Sequence, residues 1–131
     1  MFDKYWNADF VAKLFGVTFV AIGLVSFLPN PISSETGLFE TNAAHNAVHL
    51  VTGLAFLAGA FAGKPLLTIR VVAGLYVVVA IAGFLTSGSM LLGFVHINQA
   101  DRWLHAALAA AFVAVGILLD EPKLGTSAAR A

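Results

Sequence analysis

Four histidines, His45, His49, His96 and His105, are the side chains of this sequence best placed to change charge or bind a metal near neutral pH. His45 and His49 stand four residues apart, and Asp101 and His105 repeat that spacing. On a helix, positions four apart share a face. Three imidazoles and a carboxylate suit Zn, Fe, Cu or Ni by ligand type. His45, His49, Asp101 and His105 are therefore a candidate metal set, with Asn46 behind it as a supporting polar group. His49 and His105 alone, at matched depth on two helices, would suit axial ligation of a haem, with Gly53, Ala106 and Ala109 leaving room for a macrocycle. A structural reading needs no ligand. Asn42 and Asn98 are natural N-caps. The group Asn42, His45, Asn46, His49, Asn98, Asp101 and His105 would then hydrogen-bond between helices and fix their register. Asp101 near a helix N-terminus is also favoured by the helix dipole. His96 reads as a loop residue, and Arg102 as a partner for Glu35, Glu40 or a lipid phosphate.

The two halves of this pattern look like copies. Asn42, Ala44 and His49 match Asn98, Ala100 and His105 at one offset, with His45 replaced by Asp101. Ala55-Phe56-Leu57-Ala58 continues the match against Ala111-Phe112-Val113-Ala114. A tandem repeat of two helical hairpins is expected, related by an axis along the membrane normal.

The elements that must position these residues follow from composition. Of the 131 residues, 60% are hydrophobic and 11% charged. A soluble domain carries about 25% charged residues, so these charges are too few to cover an aqueous surface. Lys and Arg total 7, as do Asp and Glu, which leaves no basic excess for nucleic acid. The absence of cysteine excludes disulfides, CxxC chemistry and thiolate metal sites. Four stretches, at about residues 8–28, 42–62, 66–86 and 98–119, approach the roughly 20 apolar residues of a spanning helix. Each ends at Pro or Gly: Pro29 and Pro31, Gly63 and Pro65, Gly88, Pro122. The expectation is an all-α, integral membrane four-helix bundle occupying 1–131 as one transmembrane domain. The first stretch reads as a retained helix, because its apolar run exceeds that of a signal peptide and Asp3 and Asp9 precede it.

Lys4, Lys13, Lys64, Arg70, Lys123 and Arg130 fall on one side of such a bundle. The positive-inside rule then makes both termini cytoplasmic, in a bacterial inner membrane, with the first and third connections outside. Tyr5, Trp6 and Trp103 sit at interface positions. The short apolar run Met90–Val95 suits an interfacial segment or a helix extension. The central parts of the helices hold no Asp, Glu, Lys, Arg or His, so a midplane ion or proton pathway is not expected. The rows Ala55, Gly59, Gly63 and Ala106, Ala110, Ala114 suit close packing within the chain, or an oligomer interface.

The motif Asn42-xx-His45-Asn46-xx-His49-Leu50-xx-Gly53, echoed by Asn98-xx-Asp101-xxx-His105, resembles a bacterial membrane family of unknown function, domain-of-unknown-function family 4383. The resemblance covers most of residues 8–119. It implies a short four-helical chain with an Asn/His-rich start to the second helix and an Asp-xxx-His start to the fourth. Arg102 departs from it, standing where the family often has Asn. The four-helix plan is also similar to small DoxX/DoxD-like membrane proteins, some of them linked to quinone redox chemistry, and this likeness is architectural. The first functional reading is a small accessory or structural membrane subunit, within a larger membrane complex or a homo-oligomer, whose polar cluster holds helices two and four together. The alternatives are a metal- or haem-binding redox or sensor protein (Zn, Cu or Fe at His45, His49, Asp101 and His105), and a quinone-linked oxidoreductase subunit.

Overall fold

The computed structural model describes residues 6–120. Lys4, Tyr5, Lys123 and Arg130, which entered the orientation argument, lie outside the described residues. Four α-helices account for most of the described chain: α1 (Ala8–Val25), α2 (Ala43–Phe61), α3 (Pro65–Leu85) and α4 (Gln99–Leu118). All four are long and apolar enough to cross a membrane. Each helix start has a local cause. Asn7, Asn42 and Asn98 cap α1, α2 and α4 through side chains that accept the backbone N–H three residues on. Pro65 opens α3, where its missing N–H costs nothing. α1 ends at Val25, about a turn earlier than its apolar run, because Asn30 folds the next residues back through side-chain bonds to the Val25, Leu28 and Ser33 carbonyls.

The turn from α2 to α3 is a tight C-cap. Gly63 has φ of 74°, Lys64 N–H donates to the Gly59 carbonyl and Gly63 N–H to that of Ala60. The other two connections share the opposite end of the bundle and each contains a two-residue ladder. In the first, β1 (Ser33–Ser34) pairs with β2 (Phe39–Glu40). In the second, β3 (Met90–Leu91) pairs antiparallel with β4 (Val95–His96). The apolar run after α3 is thus a small hairpin, not an extension of α3 or α4. Its turn uses left-handed Leu92 and Gly93, at φ 54° and 85°.

Helices pack most closely within hairpins, α1 on α2 and α3 on α4. The core holds Phe56, Phe112, Leu66 and Ile69, all fully buried. Large apolar side chains also cover the outside, including Val17, Val51, Leu75 and Ile117. An apolar exterior on every helix is what a lipid environment demands. α1 and α2 cross at two glycines: a Cβ on Gly53 would stand 2.7 Å from the Gly16 carbonyl oxygen and Val20 nitrogen. The small-residue rows divide. Gly59 packs against Thr68 of α3, whereas Ala110 and Ala114 face outward.

Candidate metal centre

The cluster is built from the first two turns of α2 and of α4. Asn42 and Asn98 fix where these helices begin, and so set the depth of the side chains that follow. His45, His49 and His105 all point inward and are 1%, 6% and 4% exposed. Their ring centroids lie 4.6 Å (His45–His49), 5.4 Å (His45–His105) and 6.4 Å (His49–His105) apart. One nitrogen from each ring falls within 4.8 Å of the other two. His45 Nε2, His49 Nδ1 and His105 Nδ1 are buried with no hydrogen-bond partner among the described residues.

The tautomer of His45 follows from its one polar contact. Its Nδ1 lies 2.7 Å from the His96 carbonyl oxygen. A carbonyl only accepts, so Nδ1–H donates, and Nε2 of the neutral ring carries a lone pair. An imidazole whose far nitrogen donates to a backbone carbonyl is oriented in the manner of a metal ligand with a fixed second shell.

Asp101 lies outside the convergent set. Its Oδ2 accepts the Asn98 N–H at 2.9 Å while Asn98 Oδ1 accepts the Asp101 N–H at 2.9 Å, a closed capping box. The carboxylate is buried but committed to its own helix start. Around the histidines stand aromatic rings: Phe19 lies edge-on to His49 at 5.8 Å and Tyr76 to His105 at 6.2 Å.

Around the cluster, the two hairpins exchange hydrogen bonds. Asn42 Nδ2 donates to the Phe94 carbonyl, and Asn98 Nδ2 to the Leu38 carbonyl, each at 2.8 Å. Asn42 Oδ1 also accepts the His96 N–H at 3.2 Å. His96 Nε2 stands 3.3 Å from Glu40 Oε2. Spacing gave His96 only a loop position. In the fold its backbone orients His45 and its ring meets the other connection. Asn46 faces a polar pocket of about 310 Å³ beside Glu35 and Thr36, with its Oδ1 buried and unpartnered.

Among the described residues, Arg102 pairs with no carboxylate. Its Nε donates to the Gly83 carbonyl at 2.8 Å and an amino group to Gly88 at 2.6 Å. It thereby satisfies carbonyls at and beyond the end of α3, where a cation is favoured. Arg70 does the same for α4, donating from Nε to the Gly116 carbonyl at 2.8 Å.

Residues 10–118 match the sequence profile of a domain of unknown function, DUF4383. The chain belongs to that family. The match spans the cluster and the capping asparagines Asn42 and Asn98. No curated protein and no solved structure matches the chain. DUF4383 is defined without an activity, so the function of this member is argued from its site.

Proposed function

We propose that this DUF4383 chain is an integral membrane protein that holds one transition-metal ion on His45, His49 and His105. The observation that carries the reading is that three buried histidines bring one ring nitrogen each within 4.8 Å of the others, and that each ring has a buried nitrogen without a hydrogen-bond partner among the described residues. Ligand nitrogens on a tetrahedral ion with bonds near 2.0 Å stand about 3.3 Å apart. The present spacing of up to 4.8 Å closes to that by small ring movements. Three histidines leave a fourth position open, the arrangement of reactive or sensing centres more than of closed structural ones. Zn, Cu and Fe all suit imidazole. The distribution of Lys and Arg supports cytoplasmic termini in a bacterial inner membrane, with the cluster towards the outer face.

Elemental analysis of the protein purified in mild detergent tests this reading. The expected result is about one metal ion per chain, lost in His49→Ala and His105→Ala. Asp101→Asn, whose amide oxygen can still take the Asn98 N–H, retains the ion. Absence of stoichiometric metal, both as purified and after reconstitution with Co²⁺, overturns the proposal, and a Soret band would return haem to consideration.

A second reading draws on the exchanged bonds of Asn42 and Asn98. In it the cluster serves assembly alone, and the chain is an accessory subunit of a larger membrane complex or a homo-oligomer. The equal offsets of those bonds also support a duplicated hairpin, since each asparagine reaches the residue four before its counterpart. Co-purification of a partner under mild detergent, with no metal, would favour this reading.

A further inference from the structure

We propose that the bundle has a second binding site, for an apolar molecule about the size of one substituted aromatic ring, which enters from the lipid between α1 and α4 and ends on His49. α1 packs on α2 and α3, and α4 on α3, while α1 and α4 touch where the Phe15 and Phe19 rings meet Phe112, at 4.9 and 5.8 Å, and leave a gap beside that contact. The gap is a pocket of about 250 Å³. Phe19 and Ile22 line it from α1, Leu104 and Leu108 from α4, Phe39 from the first connection and His49 from α2. An engineered cavity of about 150 Å³ accepts benzene, so this one holds roughly ten non-hydrogen atoms. Ile22 is also exposed on the outer surface of α1, which puts the mouth on the lipid side.

The walls select against a polar or charged ligand. The hydroxyl of Thr18 donates to the Leu14 carbonyl, that of Ser33 bonds Ser26 at 2.6 Å, and Asp101 holds its cap. His49 is the one lining residue with a buried polar atom lacking a partner. The ligand class is therefore an apolar ring with at most one polar group, oriented towards His49. This site goes beyond the metal proposal and does not require it; His49 borders both, and with a metal on its ring the apolar walls alone hold the ligand.

The probe is 4-propylphenol, titrated into the full chain in lipid nanodiscs with ¹⁵N-labelled histidine. His49 ring signals should shift saturably while those of His96 stay fixed. Leu108→Trp and Ile22→Trp fill the pocket from opposite walls, and each should abolish the saturable shift. Ile22→Trp alters only a partly exposed position and decides the matter if Leu108→Trp fails to fold. Shifts that rise linearly without saturating, or that saturate equally in the folded variants, mean partition into lipid and overturn the site. Metal content measured on the same samples keeps the two proposals separate, because a metal-free protein that still binds the probe sinks only the first.

Discussion

A buried nitrogen or oxygen without a partner costs about 1–3 kcal/mol, and His45, His49 and His105 carry one such atom each among the described residues. Asn46 and Thr41 add two more nearby. A small bundle has little stability to set against this, and the proposed metal ion would relieve that cost. The contacts that do hold the site together are those of the asparagines. Asn42 performs two tasks with two ends: Oδ1 caps α2, and Nδ2 holds the second connection through Phe94. Asn42→Asp keeps the acceptor and loses the donor. We expect it to lower stability in detergent by about 1 kcal/mol. Asn42→Ala, which loses the cap as well, should cost about 2 kcal/mol. Thermal unfolding in detergent checks both. An Asn42→Asp protein as stable as the wild type would mean the bond to Phe94 contributes nothing.

Among the elements, α1 and α2 are the pair whose backbones approach most closely, at Gly16 and Gly53. A methyl group on Gly53 would meet backbone atoms that cannot rotate aside. Gly53→Ala should therefore destabilise by about 1–3 kcal/mol through overpacking. Gly74, on α3, has nothing within 4 Å of its missing Cβ. Gly74→Ala should be neutral or stabilise by up to about 1 kcal/mol, through helix propensity alone. Equal effects from the two substitutions would refute the packing at this crossing. The helices themselves were legible in the sequence because each apolar run is long and bounded by Asn, Pro or Gly, signals that act within a few residues. The site was legible only in part. Spacing alone placed Asp101 and His105 on one face, but Asp101 is also the third residue of α4, and Asn98-xx-Asp101 has the form of a capping box. The local bond competes for the carboxylate and wins. The backbone partners of Arg102 were hidden for a different reason: they are the carbonyls of Gly83, Thr86 and Gly88, and backbone acceptors leave no mark in side-chain patterns. The α1–α4 pocket was equally invisible, being a gap left between hairpins that pack mainly within themselves.

For the whole molecule, the proposed orientation places Glu35 and Lys64 on opposite sides of the membrane. The chain has no cysteine, so single Glu35→Cys and Lys64→Cys variants report without background. An impermeant thiol reagent added to intact cells should label the first and spare the second, and labelling of both from one side would overturn the orientation. The connection at residues 86–98 also matters on this scale. It is fastened to the histidine cluster through the His96 carbonyl and to α2 through Asn42. A ligand drawn onto His45 Nε2 would polarise that ring and strengthen the bond its other nitrogen makes to His96. The small hairpin of β3 and β4 would then act as a visible flag for the hidden interior: a partner protein touching only this surface could tell a filled bundle from an empty one.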